Sequence, residues 1–215
     1  MRRVALMLAA VALALLLASG VALAVNKIGT DGPDTLRGTN GDDNLIGNGG
    51  DDVLHSLNGR DTLLGGSGKD CLLCRSTTRF RFFEGDKNLL GGSGNDLIWA
   101  GKGSDVVVGA EGNDLLVDDG VREFSKDNFS GGPGNDVIDV SNYRSGSARD
   151  RVVCGGGFDR VHADSNDVVA PDCEKVVVFR GGTLSEYWDD VDSFWNETVP
   201  PSFYEGLPPV SQCGV

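Results

Sequence analysis

Aliphatic residues recur at a fixed nine-residue interval through the first part of the chain. From Gly29 to Leu73 the sequence divides without gaps into GTDGPDTLR, GTNGDDNLI, GNGGDDVLH, SLNGRDTLL and GGSGKDCLL. In every frame position four is glycine, position six is aspartate and position eight is leucine. The glycine-rich half predicts a tight turn, and the half that follows predicts a very short strand with one inward aliphatic side chain. One frame buries too little surface alone, so the frames must stack on one another.

The same pattern returns further along the chain after an interruption. Residues 91–117 read GGSGNDLIW, AGKGSDVVV and GAEGNDLLV, and residues 131–139 read GGPGNDVID. The intervening frame FFEGDKNLL has Lys87 at position six, so we expect it to be poor in metal. Residues 74–81 and 118–130 fall outside the period and are predicted to be inserted loops.

Two frames make one complete coil, so aspartates eighteen residues apart should lie on one edge of the stack. Asp34, Asp52 and Asp70 would share one edge, and Asp43 and Asp61 the other. Turns about 4.8 Å apart would bring like charges close enough to repel by roughly 3 to 4 kcal/mol. A hard divalent cation between turns removes this repulsion, and carboxylates with turn carbonyls form the all-oxygen shell that calcium prefers. The candidate ligands are the position-six aspartates Asp34, Asp43, Asp52, Asp61, Asp70, Asp96, Asp105, Asp114, Asp136 and Asp159.

The frames resemble the G-G-x-G-x-D-x-U-x nonapeptide of the haemolysin-type, or RTX, calcium-binding repeat family, and the chain resembles its small secreted repeat-only members. The segments that begin at Gly65, Gly91 and Gly131 match that motif best. The resemblance implies an all-β fold, a parallel β-roll (right-handed β-solenoid). It also implies calcium held between turns by position-six aspartates and loop carbonyls.

The amino-terminal segment and the net charge bear on location and partners. Met1–Ala24 has the charged start, apolar core and small-residue end of a signal peptide, with an uncleaved anchor as the competing interpretation. Without Arg2 and Arg3, 17 basic residues face 32 acidic ones. Such a charge disfavours nucleic acid and anionic membrane surfaces, and we expect a secreted, extracellular protein.

The five cysteines predict disulfides in an exported chain. Cys154 and Cys173 bracket the last turns, and a bridge between them would close the end of the roll. The Cys71-x-x-Cys74 pair lacks the second cysteine pair of a zinc site and the βαβ pattern of a redox site, which favours a local disulfide. Cys213 is left free or intermolecular.

The carboxy-terminal segment differs in character, with aromatic, acidic and proline residues and no basic ones. It is predicted to be an irregular tail; the alternative is a docking segment that folds onto outward apolar positions or onto another molecule. Those outward positions are Ile46, Leu64, Trp99, Val108 and Val117. His55 and His162 fall at position nine, a strand position predicted to be solvated.

The sequence thus divides into a signal segment (1–24), a first repeat block (25–73), a loop and degenerate repeat (74–90), a second block (91–139), terminal repeats with a cap (140–183) and the tail (184–215). The predicted function is extracellular calcium binding coupled to folding, with Ca²⁺ as the cofactor and no enzymatic activity. The rival is a calcium-stiffened adhesin or matrix protein that binds a cell-surface or matrix partner through its tail or outer strand faces.

Overall fold

The structure is a computed structural model that describes residues 24–74, 85–118, 125–142, 149–180, 184–208 and 213, without the side chains of 184–188 and 198. The predicted signal segment up to residue 23 and residues 75–81 of the first predicted loop lie outside the described residues.

In the described part of the chain, sixteen short strands alternate between two parallel sheets, which confirms the predicted β-roll. The odd sheet contains β1 (Asn26–Ile28), β3 (Asn44–Gly49), β5 (Thr62–Ser67), β7 (Asn88–Ser93), β9 (Val106–Glu111), β11 (Asn128–Pro133), β13 (Arg151–Gly156) and β15 (Val168–Val169). The even sheet contains β2 (Thr35–Arg37), β4 (Val53–Ser56), β6 (Cys71–Cys74), β8 (Leu97–Trp99), β10 (Leu115–Val117), β12 (Val137–Asp139), β14 (Arg160–Asp164) and β16 (Lys175–Phe179).

The core between the sheets consists of the position-eight side chains. Leu45 pairs with Leu63 and Leu54 with Leu72, so equivalent residues of successive coils stack directly on each other. These side chains are fully or almost fully buried, which is worth about 1.5 to 3 kcal/mol for each one. The ladder includes Leu45, Leu54, Leu63, Leu72, Leu89, Ile98, Val107, Leu116, Phe129, Ile138, Val152 and Val161.

The second predicted loop, 118–130, is too long. Strand β11 begins at Asn128 and pairs with β9, with Phe129 in the core ladder. In the sequence, residues 122–130 read as a degenerate frame in which Phe129 stands at the aliphatic position. Only about four residues are therefore inserted at this point, since Asp105 and Asp127 in equivalent turns are 22 residues apart instead of eighteen.

Glycine at position four is required by the turns. Gly68 has a φ of 137° and Gly94 one of 129°, a region that other residues rarely adopt. A Cβ on Gly94 would also overlap the backbone carbonyl of Gly68 in the preceding coil. The glycines therefore permit both the turn and the close stacking of one turn on the next.

The predicted irregular tail is helical and packs on the roll. It forms α1 (Leu184–Ser193), a π-helical turn (Phe194–Thr198) and α2 (Pro201–Gly206). Its buried apolar residues cover the outer face of the even sheet. The tail sequence has no obvious strand or helix period, and this contact with the sheet is what orders it. The apolar residues of this interface include Leu73, Leu97, Leu115, Val137, Phe194, Val199, Phe203 and Leu207.

The predicted alternative was that the tail docks onto five outward apolar positions of the chain's own roll. This is correct for two of these five positions. Trp99 and Val117 pack against the tail interface. Ile46, Leu64 and Val108 lie on the odd sheet instead.

His162 is buried beneath the tail, so the prediction that it is solvated is wrong. Its ring stacks on Phe194 with 4.8 Å between the ring centroids. Its Nε2 lies 2.8 Å from Asp190 Oδ2 of α1, and its Nδ1 lies 3.2 Å from Asp139 Oδ1. Position nine faces outward, as predicted, but the tail covers it.

One of the two predicted disulfides is present. Cys154 and Cys173 are bonded, which confirms the closed end of the roll. The predicted Cys71–Cys74 bridge is wrong: Cys71 is bonded to Cys213, and Cys74 is a free, buried thiol. Both residues lie in strand β6, where residues three apart are separated by about 10 Å and point to opposite faces. A disulfide tolerates a Cα separation of about 7 Å at most.

None of the helices in the described part of the chain is both long and apolar enough to cross a membrane.

Candidate metal centre

Position-six residues form two parallel rows, one along each edge of the roll. The first aspartate row precedes the strands of the even sheet and contains Asp34, Asp52, Asp70, Asp96, Asp114, Asp136 and Asp159. The second aspartate row precedes the strands of the odd sheet and contains Asp43, Asp61, Lys87, Asp105, Asp127, Asp150 and Asp167. All ten predicted ligands lie in these rows. Asp34, Asp52 and Asp70 share one edge, and Asp43 and Asp61 share the other, as the eighteen-residue spacing predicted.

One oxygen of each carboxylate links neighbouring coils. The backbone N–H of Asp52 donates to Oδ1 of Asp70 at 2.9 Å, and that of Asp96 donates to Oδ1 of Asp114 at the same distance. In the second row, Asp43 donates to Asp61 at 3.0 Å. Each aspartate of the two rows except Asp34 thus accepts a hydrogen bond from the preceding turn, which fixes the stacking register.

The other oxygen is buried without compensation. Along the first aspartate row, Oδ2 is shielded from solvent and accepts no hydrogen bond in Asp52, Asp70, Asp96, Asp114, Asp136 and Asp159. Buried carboxylate oxygens are normally hydrogen-bonded or bound to a cation, and the repeated lack of a protein donor among the described residues favours a cation as the partner of these oxygens.

Burial makes the charged form of these carboxylates unfavourable. It raises the pKa of Asp96 and Asp136 to about 8, and neighbouring aspartates in the row raise both further against the lowering effect of the backbone hydrogen bond. It also raises the pKa of Asp114 to about 7 and that of Asp70 to about 6. A bound cation would reverse this tendency, because it favours the ionised carboxylate.

Turn carbonyls accompany the uncompensated oxygens. A Cβ on Gly91 would overlap Asp96 Oδ2 and would lie 2.7 Å from the backbone oxygen of Gly109 in the next coil. A Cβ on Gly109 would likewise overlap Asp114 Oδ2 and would lie 2.8 Å from the backbone oxygen of Gly131. Carboxylate and carbonyl oxygens of adjacent coils therefore converge beside a glycine that leaves them room. This donor set fits calcium, while zinc would require nitrogen or sulfur ligands.

The prediction missed three members of the second row. Asp127, Asp150 and Asp167 continue it beyond Asp105, through hydrogen bonds of 2.6 to 3.1 Å. Asp127 could have been found from its position nine residues before Asp136. Its frame contains no glycine, however, and this obscured the repeat. Asp118 adds a further carboxylate, with a ligand oxygen within 4.8 Å of those of Asp127 and Asp150.

Comparison with known proteins agrees with this geometry. The RTX calcium-binding nonapeptide repeat model matches four times, at residues 28–63, 47–72, 84–116 and 125–141. The search of curated proteins returned no match. The matched segments carry both aspartate rows from Asp34 to Asp136, and the chain belongs to the RTX calcium-binding nonapeptide repeat family.

Proposed function

We propose that this protein binds calcium ions between successive coils along its two aspartate rows, and that ion binding drives folding of the roll. The observation that carries the proposal is the line of buried Oδ2 atoms without a hydrogen-bond donor, from Asp52 to Asp159. Each bound ion would take up such an oxygen together with turn carbonyls. Because the ligands come from different coils, they assemble only when the roll folds, so binding free energy becomes folding free energy.

The proposal places the protein outside the cell, without enzymatic activity. Two features support the location: the disulfides Cys71–Cys213 and Cys154–Cys173, and the net charge of −13. Disulfides persist in oxidising compartments, where calcium is available at about millimolar concentration. At that concentration a site with a dissociation constant of about 0.1 mM would contribute about 1.4 kcal/mol, so several weak sites together decide whether the roll folds.

The test is a calcium titration at pH 8 followed by circular dichroism, with magnesium and chelator as controls. We expect β structure to form in calcium but not in an equal concentration of magnesium, whose smaller octahedral shell fits these oxygens poorly. Equal β content in chelator and in calcium would refute coupled folding.

Asp96→Asn sharpens the experiment, because it keeps an oxygen that accepts the Asp70 N–H while removing the buried charge. We expect this variant to be more stable than the wild-type chain in chelator and less stable in calcium. The matched control is Asp42→Asn, an exposed position-five residue whose Oδ1 accepts the Arg60 N–H. Position five already contains asparagine in the same role at Asn95 and Asn113, so the control should behave like the wild-type chain.

An interaction protein stiffened by calcium is the second candidate, and one surface favours it. The tail aromatic residues Phe194 and Phe203 are buried against the roll, and the outer face of the odd sheet is one of the exposed apolar surfaces of the described residues. Ile28, Leu90 and Val106 on this sheet are exposed. If this face binds a matrix partner, Leu90→Glu should abolish retention on extracellular matrix while leaving calcium-induced folding intact.

A further inference from the structure

Lys87 is the one member of the two aspartate rows that carries a positive charge, and its side chain is buried. Only 1% of the residue is exposed to solvent. Its Nζ donates to the backbone oxygens of Gly59 at 2.9 Å and Gly85 at 2.7 Å, and it lies 3.7 Å from Asp61 Oδ2. A lysine ammonium has three hydrogens to donate, and two turn carbonyls and one carboxylate surround it here.

These three oxygens are of the same kinds as those that converge in the first row. Gly59 and Gly85 occupy position four of their frames, and they lie in consecutive turns along one edge, as shown by the β5–β7 pairing of Thr62 with Asn88. Asp61 is the position-six aspartate of the earlier turn. The ammonium therefore lies between two coils, where its charge is balanced by a buried carboxylate that would otherwise be uncompensated.

We propose that the Lys87 ammonium is a built-in substitute for a calcium ion, and that this position in the second aspartate row is a latent calcium site which an aspartate at residue 87 would open. The proposal rests on the proposed function, since it assumes that calcium fills the equivalent positions in the remaining turns. The lysine holds its pair of turns together in any calcium concentration.

The position of this contact in the sequence indicates its structural role. The turn that contains Gly59 and the turn that contains Gly85 are separated by the insertion 74–81, where the nine-residue period is broken. A tethered cation joins these coils without requiring an ion to bind first. Beyond Lys87 the row resumes, because its backbone N–H donates to Asp105 Oδ1 at 2.7 Å.

Two substitutions of Lys87 test the proposal, each with a matched control at Lys69. Lys69 lies at position five, where Asp42, Asp51 and Asp86 already occur, and so Lys69→Asp makes the same charge change away from the row. Bound calcium is counted by elemental analysis after equilibrium dialysis. We expect Lys87→Asp to bind at least one more calcium ion per chain than the wild-type protein, and Lys69→Asp to bind the same number as the wild-type protein.

Lys87→Met removes the ammonium but keeps a long apolar side chain. We expect it to require a several-fold higher calcium concentration for half-maximal folding than Lys69→Met, because two carbonyls and Asp61 lose their cation. An unchanged calcium count in Lys87→Asp, while the wild-type chain binds calcium elsewhere, would overturn the latent site. A wild-type chain that folds at pH 8 without binding calcium would instead refute the proposed function. In that case the urea midpoints of Lys87→Met and Lys69→Met in chelator would test whether Lys87 holds the two turns together. Equal midpoints would overturn that role.

Discussion

Protons and calcium should compete for the first aspartate row, and this competition gives a pH dependence whose sign follows from the structure. Without an ion, burial raises the pKa of Asp114 from 3.8 to about 7 and that of Asp96 and Asp136 to about 8. In the unfolded chain these carboxylates return to values near 4. The folded, ion-free roll therefore binds more protons than the unfolded chain between about pH 4 and pH 8, and its stability falls as the pH rises through that window.

The size of the effect can be worked out for one residue. A pKa of about 7 in the folded state and 3.8 in the unfolded state means that raising the pH from 5 to 8 removes roughly 3 kcal/mol of stability at Asp114 alone. Asp96 and Asp136 act in the same direction. Since a domain has a total stability of only about 5 to 15 kcal/mol, we expect the chelated chain to be folded near pH 5 and largely unfolded at pH 8.

The assay is urea unfolding of the chelated protein at several pH values, followed by circular dichroism, with a parallel series in saturating calcium. Calcium should abolish the loss at high pH, and its binding near pH 7 should release protons, detectable by calorimetry in buffers of different ionisation enthalpy. His162 is a confounding group, because its raised pKa also favours the folded state at low pH, and His162→Gln removes that contribution. Equal stability of the chelated protein at pH 5 and pH 8, with no proton release, would refute the reasoning.

Three further predictions concern the tail and the cysteines. Cys213→Ser opens a loop of 142 residues and should lower the free energy of unfolding by about 5 kcal/mol, against about 3 kcal/mol for Cys173→Ser, which opens one of 19; chemical denaturation would rank the two. Burial opposes protonation of His162, but Asp139 and Asp190 outweigh it and raise its pKa, so the tail contact should weaken as the pH rises through that value. His162→Ala should then loosen the tail by about 3 kcal/mol, visible in the fluorescence of Trp195 beside Phe194. Burial raises the pKa of Cys74 to about 12, so alkylation of this thiol should be slow until the protein unfolds, and fast labelling of the native protein would contradict its placement.

The sequence predicted those parts of the molecule that depend on local repetition. The stacking of Asp34 on Asp52 and of Leu45 on Leu63 follows from the period alone, because each coil of the first block is built from two nine-residue frames. Asp127 was missed where its frame lost the glycine and exchanged leucine for Phe129. In that frame the nine-residue spacing still indicated a repeat, although the glycine and leucine of the motif were absent.

The contacts of the tail could not be predicted in the same way. Cys71 is bonded to a residue 142 positions away, and no periodic feature connects the two. His162 occupies a position that faces outward in every coil, and its burial depends on a helix whose own sequence does not indicate where it packs. The site where the tail packs on the repetitive surface of the roll depends on the folded shape. The local sequence pattern therefore does not predict it.

The choice of side chain at position six indicates why the rows carry charge at all. Linking one coil to the next requires only an oxygen that accepts a backbone N–H, and at position five asparagine provides it, as Asn95 does for Asn113 and Asn113 for Asn135. From Asp52 onward in the first row, aspartate at position six forms the same bond with Oδ1 but also buries Oδ2, which accepts no hydrogen bond. A purely structural ladder would be more stable with asparagine in both positions. The recurrence of aspartate at position six, broken within the ladder by a lysine that supplies its own positive charge, is therefore accounted for by a cation between the coils.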